Sequence, residues 1–195
     1  MSTSTAPVEQ YYPGLEGVIA AETAICDLEG REGQGGLDYR GYAIEDLAGA
    51  VSYEETAYLL LHGDLPARSQ LEAFAARLRA ARAIPEPLVE LFRGVPADVH
   101  PMDVLRTSVS VLAHFDPDRH APPADHAANV RKSERLVAQL PTAIAYRERL
   151  AHKRPIVPPR DDLDHAANFL WMMSGSAPSK TMRDAFDLSL VLYAE

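Results

Sequence analysis

From Ile44 to Glu195 the apolar residues recur every three or four positions, the spacing of helices that bury one face. The clearest case is the segment 100–115. Met102, Leu105, Val109 and Leu112 form one stripe there, and Val104, Val111 and Phe115 form a second beside it. Pro101 suits a first helical turn, where a missing N–H costs nothing, and Asp103 meets the positive end of the helix dipole. Two adjacent stripes let neighbours cover a helix on more than one side. The pattern therefore predicts a central helix, with room for a second subunit among its neighbours.

The flanking segments carry their own start and stop signals. Ser52 with Glu55 makes a capping box ahead of a helix at 53–62, which Gly63 ends. Pro66 opens the next segment, whose face is Leu71, Phe74, Ala75, Leu78 and Ala81, with Arg68, Arg77, Arg79 and Arg82 expected in solvent. A short helix at 87–93 points Leu88, Leu91 and Phe92 inward. Beyond a Pro/Asp loop at 116–125, Asp125 is expected to cap a long helix running to about Lys153. Leu136, Val137, Leu140, Ile144 and Leu150 are expected to be its buried side, and Pro141 to kink it. Asp162 is expected to cap a helix at 163–174 that buries Leu163, Ala167, Leu170 and Trp171 and closes at Gly175.

Ser179 starts the last helix, 180–195, whose Met182, Phe186, Leu188, Leu190, Val191, Leu192 and Tyr193 leave it apolar nearly all round. Such a helix belongs inside a core. It reaches Glu195 without a Gly, a Pro or a basic last turn, so the pattern reads as a domain cut short. Upstream of Ile44, residues 1–13 read as a loose tail. Alternation at 23–28, Gly-rich turn material at 29–36 and a returning strand at 37–40 predict one small β-hairpin. The fold class is mainly α, a helical bundle with a small N-terminal β-hairpin.

Composition narrows the function classes. The 195 residues carry a net charge of −9, which argues against a nucleic-acid partner, since that needs a clustered basic surface. No apolar run approaches the roughly 20 residues that span a bilayer, and residues 1–13 lack the pattern of a secretion signal. Cys26 stands alone, which excludes an internal disulfide and points to a reducing compartment, so a cytoplasmic location is expected.

Candidate chemistry is sparse. Asp116, Asp118, His120, Asp125 and His126 could ligate a metal, but their loop lacks the Gly and bidentate Glu of a calcium loop and the spacing of a zinc site. They read as solvated. His100 before Pro101 reads as a helix-start residue, and His62 as a last-turn imidazole suited to the dipole. His165 and Asn168 share a helix face near Asp162 and Asp164, where capping is the simpler role. Gly33–Gly36 lacks the Lys-Ser/Thr of a phosphate loop, and Cys26 lacks a basic neighbour to activate it. No acid, base or nucleophile constellation stands out.

The order of short strings is more telling. Gly14-Leu15-Glu16-Gly17-Val18, Ala21-Glu22-Thr23, Tyr39-Arg40-Gly41-Tyr42, and Ile44-Glu45-Asp46-Leu47-Ala48 resemble the opening of a bacterial citrate synthase. So do Leu59-Leu60-Leu61-His62-Gly63-Asp64-Leu65-Pro66, His100-Pro101-Met102, Phe115-Asp116-Pro117, Leu140-Pro141-Thr142 and Ala166-Ala167-Asn168-Phe169-Leu170. The resemblance runs through residues 14–195 in order, and its family includes the 2-methylcitrate synthases. It implies a mostly helical large domain that forms homodimers or heterodimers through antiparallel helices, here segments 100–115 and 126–152.

The reaction implied by the resemblance condenses acetyl-CoA, a co-substrate rather than a bound cofactor, with oxaloacetate. A histidine and an aspartate act on the acetyl methyl group, while arginines grip the substrate carboxylates. By the same resemblance, the first catalytic histidine would directly follow Glu195. The later histidine segment, the catalytic aspartate, the substrate arginines and the small CoA-binding domain have no counterpart in the sequence. No catalytic, cofactor-binding or metal-binding residue is therefore carried over, and Tyr193, Ala194 and Glu195 would only border the site. Two expectations follow: an N-terminal portion of a citrate synthase that is inactive alone, or a non-catalytic subunit that dimerises with a full-length relative. A helical scaffold without link to the reaction is a weaker third.

Overall fold

The computed structural model describes residues 14, 17–19, 22–28 and 36–195. The tail expected at 1–13 and the Gly-rich turn at 29–35 lie outside the described residues. Strand β1 (Cys26–Asp27) pairs antiparallel with β2 (Asp38–Tyr39), which is the expected hairpin. A third strand, β3 (Tyr42–Ala43), extends it, so the sheet is three-stranded rather than a lone hairpin. The turn between β2 and β3 is Arg40-Gly41, with φ of +52° and +84°. Both central residues of a type I′ turn need positive φ, a demand usually met by Asn-Gly. Arg40 meets it because its side chain is anchored, donating to the Leu60 carbonyl at 2.8 Å and the Ala24 carbonyl at 3.3 Å.

The helices follow. The single turn α1 (Ile44–Leu47) buries Leu47 against Tyr39 and Leu59. Helix α2 (Tyr53–His62) starts in the expected capping box: Ser52 Oγ accepts from the Glu55 N–H at 3.3 Å, and Glu55 Oε2 accepts from the Ser52 N–H at 2.8 Å. Gly63, at φ +98°, stops it. In α3 (Arg68–Ala80), Phe74 and Leu78 are fully buried, and α4 (Glu86–Gly94) buries Val89 as well as Leu88 and Phe92. His100 Nδ1 accepts from the Met102 N–H at 3.2 Å at the start of α5 (Pro101–Phe115), as expected of a helix-start residue.

The central position goes elsewhere. Only one face of α5, Val104, Ser108 and Leu112, is buried; Met102, Val109 and Phe115 are exposed. The hub is α6 (His126–Ala151), which runs through Pro141 and packs against α3, α4, α5 and α7. Its buried side is not the expected leucine stripe. Ala128, Ala138, Thr142, Ala143 and Ala145 are buried, whereas Leu136, Val137, Leu140 and Leu150 are half-buried and Ile144 is exposed. Small side chains let the neighbouring helices come close, and close approach favours alanine over leucine on a crowded face.

Helix α7 (His165–Ser174) is capped by Asp164, not Asp162: Asp164 Oδ1 accepts from the Ala167 N–H at 2.8 Å, while Asp162 pairs with Arg160. Its buried residues are His165, Ala166, Ala167, Asn168 and Met172, not the expected Leu163, Leu170 and Trp171. Helix α8 (Lys180–Leu192) buries Asp187 and Val191 and leaves Met182, Leu188 and Leu192 exposed, so it lies at an edge of the described fold.

Arg82, expected in solvent, is structural, and so are two arginines of α6. Arg82 is 3% exposed and donates to the carbonyls of Arg160 and Leu163. Arg147 donates to the carbonyls of Val95 and Pro96, and Arg149 to those of Pro155 and Met173. Each buried guanidinium thus ties its own segment to another through backbone carbonyls.

The hub makes a sharp prediction. Ala143→Leu, on the buried face, should lower the urea-unfolding free energy by about 1–3 kcal/mol through overpacking. Ile144→Leu, one position on, should stay within about 0.5 kcal/mol.

Candidate functional site

A groove of about 420 Å³ runs along α6 beside α7 and α8. Leu136, Val137, Leu140, Pro141 and Ile144 form one wall, Phe169, Phe186 and Leu190 the other, and Phe169 stacks on Phe186 at 5.2 Å. Tyr53 and His165 contribute its polar groups, with their rings 4.8 Å apart and tilted by 42°. They arrive there because Tyr53 opens α2 and His165 opens α7, and the two helix starts meet.

Behind these rings lies a buried cluster of ionisable groups. Glu54 Oε1 accepts from the His165 N–H at 2.8 Å, whereas its Oε2 is buried without a hydrogen-bond partner. Asp187 Oδ1 accepts from the Tyr53 N–H at 3.3 Å, and Asp164 Oδ2 accepts from Arg183 Nε at 2.9 Å. Burial, reinforced by the Arg82 cation, pushes the His165 imidazole down to about 4. Burial also raises the Tyr53 phenol and the Glu54 and Asp187 carboxyls. At neutral pH the groove therefore presents an uncharged imidazole. It offers hydrogen bonds to a neutral group, but the Ser133 hydroxyl on its wall is spent on the Asn129 carbonyl at 3.0 Å. That arrangement holds and orients; it has no assembled nucleophile and base.

A second recess of about 490 Å³ lies between α5 and α6, with Val99, Pro101, Met102, Leu105 and Ala143 on its walls. Ile144 lines both recesses. An apolar strip therefore continues from α5 across α6 to α8.

Comparison with known proteins places this architecture. The family model "Citrate synthase, C-terminal domain" matches residues 14–195. The chain belongs to the citrate synthase family. It is 39% identical to a citrate synthase of Acidithiobacillus ferridurans over 188 residues, covering 95% of this chain and 48% of that protein. It is also 39% identical to a 2-methylcitrate synthase of Mycobacterium tuberculosis over 195 residues, covering 98% of this chain and 48% of that protein. The crystal structure of citrate synthase from Pyrobaculum aerophilum superposes with a TM-score of 0.87 at 36% identity, covering all of this chain (100%) and 52% of that one. The chain spans about half the length of the curated relatives it matches.

Within this family framework, the sequence candidates separate. His165 and Asn168 are both buried: Asn168 Oδ1 accepts from the Arg160 N–H at 2.8 Å, and His165 faces the groove, so neither caps a helix. His62 Nε2 lies 3.3 Å from Glu134 Oε1, and Arg77 grips the same carboxylate with two bonds of 2.8 Å. Burial works against the Glu134 charge, but these contacts win and hold it below the usual carboxylate range.

Asp116 and Asp118 are not freely solvated. Arg135 bonds both, at 2.8 and 2.6 Å, and Arg131 bonds Asp118 at 2.6 Å, clasping the loop to α6. Asp125 caps α6 by accepting from the Ala128 N–H at 2.9 Å, while His120 and His126 are exposed. Among the described residues no three His, Cys, Asp or Glu side chains gather as a metal-ligand set. Cys26 Sγ donates to Glu195 Oε2 at 2.9 Å, a contact that raises its thiol rather than activating it. Residues 33–35 of the Gly-rich candidate lie outside the described residues. Tyr193 and Glu195 are exposed.

Sequence reasoning missed Glu54, Tyr53 and Asp187. Each is an ordinary helix residue in its own segment, and only the packing of α2, α7 and α8 buries it.

The depressed His165 predicts acid sensitivity. Its folded form stays neutral while the unfolded chain takes up a proton below about pH 6.5, so stability falls from there down to about 4. At 1.36 kcal/mol per unit, the loss approaches about 3 kcal/mol. Urea midpoints at pH 7 and pH 4.5 should show a smaller drop in His165→Gln than in the parent.

Proposed function

We propose that these residues supply the helical large-domain framework of a citrate or 2-methylcitrate synthase, the enzymes that join an acyl-CoA to oxaloacetate. The observation that supports this is the family match over residues 14–195, on a backbone similar throughout to a solved citrate synthase. By the family resemblance, the small CoA-binding domain and the substrate-gripping arginines belong to the half of the relatives' length that residues 14–195 do not match. In this reading residues 14–195 build the support, and the acid–base residues lie in that remaining length. The chain by itself should therefore bind neither oxaloacetate nor CoA at millimolar concentrations. Isothermal calorimetry checks this, and saturable heat with either ligand would overturn the reading.

The reading extends to assembly and location. Among the described residues no helix is long and apolar enough to cross a membrane, and the acidic, single-cysteine composition fits the cytoplasm. The exposed Met102, Val109 and Phe115 of α5, with Ile144 of α6, fit a subunit interface through 100–115 and 126–152. Exposed apolar strips of this kind mark association surfaces. Met102 and Ile144 are 61% and 40% exposed, so charging them should leave the fold intact. The double variant Met102→Glu, Ile144→Glu should shift the mass toward monomer in light scattering; an unchanged mass would count against this interface.

The alternative, a non-catalytic subunit that pairs with a full-length citrate synthase, uses the same surface. Co-purification of a full-length relative from the native cell, lost with the double variant, would favour it.

A further inference from the structure

The joint between α2 and α7 contains a buried carboxyl with one satisfied and one unsatisfied oxygen. Glu54 Oε1 holds the first amide of α7, and Oε2 faces the interior with no partner. An unpaired polar atom in the interior is costly, and an unpaired charge far more so.

We propose that this joint is a proton-operated latch. While Glu54 keeps its proton, the carboxyl stays buried and holds α7 against α2. When it ionises, it must draw in water or swing out, which releases the His165 amide and loosens the Tyr53–His165 wall of the groove.

Around Glu54 the Arg82 cation, which is attracted to its charge, is set against several acids. From α7 the carboxyl meets Asp164 and the neutral His165, and from α8 Asp187, with Asp184 one turn back. Its own helix contributes Tyr53, and Arg82 approaches from the end of α3. The cations are committed elsewhere. Arg82 donates to the Arg160 and Leu163 carbonyls, and Arg183 to Asp164 and Asp184. Desolvation and the Asp164 and Asp187 charges raise the Glu54 carboxyl, while the backbone bonds it accepts oppose the rise. A group raised on folding stabilises fully below its unfolded value, and that stabilisation is lost as pH rises through the folded value. The latch therefore opens on the alkaline side, opposite to the acid limb set by His165.

Native-state hydrogen exchange tests this at the His165 amide, as protection factors so that the intrinsic pH dependence of exchange cancels. Protection in the parent chain should fall at least about tenfold between about pH 5.5 and about pH 8.5, and in Glu54→Gln, which is neutral throughout, it should stay flat. Asp187→Asn keeps an acceptor for the Tyr53 N–H and removes a like charge, so it should retain the fall but shift it to lower pH. This variant also carries the test if Glu54→Gln does not fold. No fall in the parent, an equal fall in Glu54→Gln, or a flat profile in Asp187→Asn would overturn the latch.

Discussion

Everything in the described fold depends on how closely other helices can approach α6. Its buried face is made of alanines and a threonine, so α3, α4, α5 and α7 come in against backbone rather than against large side chains. The neighbours bring the bulk: Phe74 and Leu78 from α3, Leu88 and Phe92 from α4, Val104 and Leu112 from α5. Large residues packing on a small-residue spine reproduce the interlocking of a dense interior. Arg147 on the same helix then fixes the α4–α5 connection, and Arg149 ties the segment leaving α6 to the end of α7, by donating to carbonyls at Val95, Pro96, Pro155 and Met173. Burying a guanidinium is costly unless it donates hydrogen bonds, and each of these donates to at least two carbonyls. The arginines set the paths of the loops, and the alanines set the separation of the helices.

That packing leaves one side of α6 unused. Leu140 and Ile144 face outward between the exposed residues of α5 and the aromatic wall built by Phe169 and Phe186. The strip is continuous and apolar, yet it carries Tyr53 and His165 in its floor. The same surface thus combines apolar contact area with two ring systems that carry polar atoms. Membership of the citrate synthase family, in which matched relatives are about twice as long, gives that surface its context.

The meeting of α2, α7 and α8 concentrates the ionisable groups. Glu54, His165 and Asp187 share one interior and are driven in opposite senses by the same desolvation: the carboxyls upward and the imidazole downward. Each group is therefore most stable uncharged. The three make the helix junction sensitive to pH from both sides, while the ion pairs of Asp116 and Asp118 with Arg131 and Arg135 hold a distant loop in place.

Local chemistry written into short segments was legible in the sequence. The capping box at Ser52 and Glu55, the stop at Gly63, the caps at Asp125 and Ser179 and the helix start at His100 all stand where spacing predicted them. These features depend on neighbours within a few residues, so a linear reading reaches them. The strings that resemble citrate synthase were equally readable, because family membership is a property of the sequence itself. What packing decides was not. Periodicity marked the large apolar residues of α6 as its buried face, but close approach of its neighbours reserved that face for alanine. Arg82 looked like a solvent-facing charge, and the roles of Arg147 and Arg149 went unread, because nothing near them in sequence shows which carbonyls they will meet. Glu54 and His165 lie in separate helices, more than a hundred positions apart, and their contact exists only once α2 and α7 are packed. Sequence determined the elements and the family; the tertiary structure decided which polar groups lost their water, because desolvation depends on what surrounds a residue in space.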